Sequence, residues 1–129
     1  MDSQLDPFVA ADVERKAEQH EYFLRGKIAV VCEAVLAEEV GIIVASRKLS
    51  GLGFQLLDRR DDDFERFDGI ASETDHLPVD IERQNWSIEA LARKDKEIAE
   101  VESFYREEVK AACRKLLDRF ALPHSTEPL

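Results

Sequence analysis

The chain has very little cysteine. Only Cys32 and Cys113 occur among 129 residues, and no CxxC pair exists. A disulfide-stapled fold and a paired-cysteine metal site are therefore excluded. Both cysteines fall in apolar helical patterns, so two buried, reduced thiols of a cytosolic protein are expected, with a single interhelical disulfide as the alternative. Long apolar runs are missing too. Runs such as "GIIVA" are far short of the roughly 20 residues a membrane span needs. The opening "MDSQLDPF" lacks both the basic region and the apolar core of a secretory leader. A cytoplasmic location without membrane association follows as the expectation. Val, Ile and Thr nowhere alternate with polar residues, so strands have no support. There are no internal repeats and no low-complexity segments. Positive charge is outweighed, with 18 basic against 28 acidic residues and a formal charge of −10. That balance excludes nucleic acid as a partner, because phosphate contacts need a cationic surface.

What is present points to a helical protein. Hydrophobic residues make up 44% and charged residues 36% of the chain, a mixture that buries a core and stays soluble. The length suits one domain, 1–129, with 1–5 and 122–129 as loose tails. Asp6-Pro7 marks a helix start. Val9, Val13, Ala17, His20, Leu24, Ile28, Val31 and Val35 then step by three and four, predicting one long helix over 7–38, open to a bend at Gly26. His20 on that stripe is expected to be buried and hydrogen-bonded. A medium helix follows over 41–57, in which Gly51 and Gly53 either end it early or admit a close neighbour. In "DRRDDDFERFDG" Asp61 can cap a short helix that turns Phe64 and Phe67 inward and ends at a left-handed Gly69. Ser87 opens a second long helix to about residue 121, ended by Pro123. The expected architecture is all-α: an antiparallel bundle of two long helices, one medium and one short.

Charge is concentrated between the medium and the last helix. Residues 58–82 carry 10 acids and 3 bases, so −7 of the −10 lies in 25 residues. Within them "FDGIASETDHLPVD" gathers Asp68, Glu73, Asp75, His76 and Asp80. Its plain reading is a capped crossover: Ser72-Glu73-Thr74-Asp75 resembles a capping box that opens one helical turn. Pro78 then extends the chain so that Leu77, Val79 and Ile81 lie across the bundle. A metal reading uses Glu73, Asp75 and His76, but Asp75 and His76 are adjacent and diverge. A hydrolytic reading pairs Ser72 with His76, without the strained turn such nucleophiles use. Glu97-Ile98-Ala99-Glu100 matches half of the ExxE…ExxD pattern of helical nucleotide hydrolases, and the second half is missing. Glu97, Glu100, Glu107 and Glu108 are expected instead to pair with Lys94, Lys96, Arg106 and Lys110. Asp95 interrupts the stripe of the last helix. Either it meets Arg47, Lys48 or Arg83, or the helix projects past the bundle there. Trp86 is a staple on the last helix or, if exposed, a docking anchor.

The segments "ASRKLSGL", "SETDHLP" and "NWSIEALARKDKEIAEVESFYREEVKAAC", in that order, resemble a small bacterial all-helical family of uncharacterised function over roughly residues 24–118. In general character the chain is similar to the immunity proteins of bacterial toxin systems. That similarity implies a small acidic protein with no active site of its own and no cofactor. The resulting expectation is a non-enzymatic module that binds a basic surface on another protein, such as a toxin, through Asp61, Asp62, Asp63, Glu65, Asp68, Glu73, Asp75 and Asp80, with Trp86 as anchor. A metal-dependent hydrolase and a homodimeric adaptor joined through the long helices are the alternatives, so the chain is expected as a monomer or a homodimer.

Overall fold

A computed structural model describes residues 7–120. Every regular element in them is helical: α1 (Pro7–Leu36), α2 (Ile42–Leu57), α3 (Asp62–Glu73), a 3-10 turn (Asp80–Asn85) and α4 (Ile88–Arg119). The helix lengths of 30, 16, 12 and 32 residues follow the expected two long, one medium and one short. The Asp6 cap, the Pro123 stop and both loose tails lie outside the described residues.

α1 and α4 run antiparallel. Glu38, just past α1, pairs with Lys110 at 2.7 Å, while Arg25 stacks 5.6 Å from the Phe120 ring centre. Ile28, Cys32 and Val35 of α1 meet Val109, Cys113 and Leu116 of α4 in the core. α2 contributes Ile42, Ala45 and Leu49, and α3 contributes Phe64, Phe67 and Ile70. Each fully buried large side chain stabilises by roughly 1.5–3 kcal/mol, so this shared core is what holds the four helices together. A smaller cluster joins Ile43 to Leu77 and Val79 of the crossover.

The stripe of α1 departs from its sequence reading. Leu24, Ile28 and Val35 are buried as expected, but Val9, Val13, Ala17 and His20 are exposed. The pattern is helical throughout, but α2 has only 16 residues and antiparallel α4 ends beside Arg25, so neither reaches the first half of α1. The third helix also differs. It runs through Gly69 to Glu73, and no described glycine has a positive φ. Ile70 continues the buried face of Phe64 and Phe67, and its burial outweighs the local stop signal. Ser72 and Glu73 therefore finish α3 rather than open a new turn. Thr74 ends it, its backbone N–H donating to the Ile70 carbonyl at 3.0 Å and its hydroxyl at 2.6 Å.

The glycines of α2 divide. At Gly53 an added Cβ would stand 2.3 Å from the Phe64 ring, so this is the close approach the sequence allowed. At Gly51 nothing lies within 4 Å. Gly41 leaves the start of α2 without a side-chain cap. Glu102 of α4 supplies one from outside, accepting from the Ile43 N–H at 3.0 Å.

Candidate functional site

The acidic crossover begins at Asp58, left-handed at φ 52°, which ends α2. Asp61 caps α3 as its sequence predicts, accepting from the Asp63 N–H at 3.0 Å. Its carboxylate also receives both Arg119 nitrogens, at 2.7 and 3.1 Å. That guanidinium, then the capping N–H, holds Asp61 below the usual carboxylate range. Asp63 binds Arg119 at 2.6 Å and Lys115 at 3.2 Å. Asp68 accepts from the Ser50 hydroxyl at 2.5 Å, and Glu73 accepts from Tyr105. Four of the eight carboxylates expected to face a partner are thus bound internally. For Asp61 and Asp63 the reason is α4, whose last turns bring Lys115 and Arg119 to the α3 N-terminus, where their charge meets the capping acids.

The other four are presented outward. Asp62, Glu65, Asp75 and Asp80 are exposed, as is Asp58. None of the five carboxylates has an ion pair or hydrogen-bond partner among the described residues.

Past α3 the chain is clamped by Arg47 of α2. Its guanidinium donates to the carbonyls of Thr74 and Leu77 at 2.5 and 3.1 Å and pairs with Glu82 at 2.7 Å. Glu82 also accepts from the Val79 N–H at 3.0 Å. That N–H first, and Arg47 second, lowers its pKa. Arg83 donates to the Pro78 carbonyl and grips Asp95 through two bonds of 2.6 and 3.0 Å. Asp95 therefore finds one of its expected partners, and it does so exposed, where α4 projects past α1. The carboxyl is held below its ordinary value by that guanidinium.

The 3-10 turn overturns the expected placement of Ile81. Leu77 and Val79 are buried, but the turn rotates Ile81 out to 72% exposure. Trp86 is 37% and Ile88 82% exposed, so three large apolar side chains stand in solvent within the eight residues that follow Asp80 in the chain. Sequence reasoning found Trp86 and missed the other two. Ile81 reads as part of an alternating arm, and Ile88 as the first apolar residue of a helix.

The residues of the hydrolytic and metal readings are only partly brought together. Glu73, His76, Glu97, Glu100 and Tyr105 line a pocket of about 410 Å³ between the end of α3 and α4. His76 shares a 3.0 Å hydrogen bond with Glu97 and lowers its pKa. Ser72 and Asp75 do not line the pocket. No three His, Cys, Asp or Glu side chains converge on a metal position among the described residues. Of the pairs expected along α4, Glu97 with Lys94 forms at 3.4 Å. Glu108 instead pairs with Arg66 of α3, and Lys110 with Glu38 just past α1. No described helix is long and apolar enough to cross a membrane.

Fold and site together define an all-α helical bundle with a clamped, acid-rich crossover. The chain belongs to a family of proteins of unknown function (DUF2489), whose match covers residues 4–116. That span starts 20 residues nearer the N-terminus than the resemblance over roughly residues 24–118 implied, and it takes in all of α1. No curated protein and no solved structure matches the chain.

Proposed function

We propose that this chain is a non-enzymatic binding protein whose acidic crossover meets a basic surface of another protein, in the manner of a cytoplasmic immunity partner to a toxin. The observation that carries this reading is the set of five exposed, unpaired carboxylates at Asp58, Asp62, Glu65, Asp75 and Asp80. Asp61, Asp63, Asp68 and Glu73, bound within the chain, help to hold the segment that displays the five. Complementary charge raises the rate of encounter and selects the partner. Ile81, Trp86 and Ile88 add apolar area next to Asp80, which slows dissociation once contact is made.

The test is a kinetic one on the partner captured from the native cell. Changing Asp62→Asn, Glu65→Gln, Asp75→Asn and Asp80→Asn together is expected to lower the association rate by about tenfold or more, as added salt does. Trp86→Ala and Ile88→Ala are expected to act on dissociation instead. An acidic partner, or an association rate indifferent to all four changes, overturns the proposal. Co-expression with the partner tests the immunity part separately: binding without protection of the cell removes that part alone.

A further inference from the structure

The first half of α1 and the groove beside its second half complete each other. Of residues 9–23 all are exposed except the half-buried Asp12. The segment is about 22 Å long at 1.5 Å per residue, and a free helix of that length is marginal in water. Along it and onward, Val9, Val13, Lys16, His20, Phe23, Lys27 and Val30 step by four and three without a break, and all seven are exposed. This is the spacing of a coiled-coil seam, and it runs beside the face that enters the core. Its second half forms one wall of a groove of about 900 Å³ between α1 and α2, floored by Gly26 and Gly51 and lined by Phe23, Val30 and Leu52.

The charges of the two parts are opposite. No carboxylate lines the groove in a chain of net charge −10. Its cations include Lys27 and Lys48, neither of which has an ion pair among the described residues. The overhanging residues 9–23 hold Asp12, Glu14, Glu18 and Glu21 against Arg15 and Lys16.

We infer that the groove receives the overhanging α1 of a second copy, so that two chains pair antiparallel along α1 and each fills the other's groove. The exchange is two-fold symmetric, which closes the assembly at a dimer. It covers Val9 and Val13 of one copy with Phe23, Val30 and Leu52 of the other, and it places an acid-rich segment against Lys27 and Lys48. It is independent of the acidic crossover and of any partner bound there.

Sedimentation and light scattering of the full chain test it. The expected mass at micromolar concentration is about twice the 14.7 kDa of one chain. Gly51→Leu fills the groove where a Cβ meets nothing within 4 Å, so it is expected to give single chains that keep the wild-type helical circular dichroism and whose melting temperature no longer rises with concentration. Val13→Asp is expected to give single chains as well, and Ile88→Asp, on the other apolar patch, to remain a dimer. A wild-type chain that stays single at every concentration overturns the inference. So does a dimer that persists in both Gly51→Leu and Val13→Asp. Hydrogen-exchange protection of residues 9–23 in a single-chain species also overturns it and assigns their cover to the chain's own ends.

Discussion

Gly51 and Gly53 stand two residues apart on α2 and face opposite environments. Gly51→Ala is expected to stabilise the single chain by up to about 1 kcal/mol, because it removes glycine's conformational freedom from a helix interior where the chain itself leaves open space for the methyl. Gly53→Ala pushes the same methyl into the Phe64 ring and is expected to destabilise by about 1–3 kcal/mol. Denaturant melts of the two variants check both signs, and like signs contradict the packing described. Asp61 carries the α3 cap and the Arg119 contact. Its change to Ala is expected to cost about 1–2 kcal/mol, while Asp62→Ala stays within about 0.5 kcal/mol. Ser46 is buried with no partner for its hydroxyl. Ser46→Ala is therefore expected to be neutral or slightly stabilising, since nothing is lost but an unsatisfied group.

Among the elements, the crossover depends most on a residue outside it. Arg47 closes the ends of α3 and of the 3-10 turn with one guanidinium. Arg47→Met is expected to cost about 2–3 kcal/mol and to raise hydrogen exchange across residues 74–86 before the rest of the molecule opens. Arg47→Lys should not restore protection, because an ammonium lacks the planar fork that reaches two carbonyls and a carboxylate. Uniform exchange in the variant would show that the crossover stands without the clamp. Helix starts were legible in the sequence: Asp61 and Ser87 both cap, and Ser87 accepts from the Ala90 N–H at 3.1 Å. Helix ends were less so. Gly69 carries the local mark of a C-terminus, and Ile70 behind it finds a place in the core that no local signal announces. Glu102 capping α2 was invisible for the same reason, as it lies 59 residues from the N–H it serves.

For the whole molecule, pH sensitivity follows from the paired carboxylates. Glu38, Asp61, Glu82, Asp95 and Glu97 all have lowered pKa values, caused first by Lys110, Arg119, the Val79 N–H, Arg83 and His76 respectively. A lowered folded pKa means that the unfolded chain binds protons more readily. The stability these groups supply is full above the ordinary carboxylate range and is lost as pH falls through their folded values. The melting temperature is expected to hold down to about pH 5 and to drop below about pH 4. Arg119→Gln should flatten that drop. The thiols report on the same global transition. Cys32 and Cys113 touch across α1 and α4, both fully buried and both free. The hydrogen bond to Cys113, and then burial, raise the Cys32 pKa, while the same hydrogen bond lowers that of Cys113, so it is burial that keeps both from a reagent. A thiol reagent is expected to label both only at the rate of unfolding. Rapid labelling under native conditions would mean that the α1–α4 contact opens locally.

The sequence by itself determined the four α-helices, their order and their starts, the two inward phenylalanines of α3 and the place where negative charge collects. These follow from periodicity, capping and composition, which act over a few residues. Which carboxylates are spent and which are offered was decided only in three dimensions. Lys115 and Arg119 are more than 50 residues from the acids they neutralise, and only the antiparallel return of α4 brings them there. The fate of the α1 stripe was decided the same way. An apolar face is written in four-residue steps, but whether it is covered depends on how far its neighbours reach, and α2 and α4 leave the first half of α1 in water.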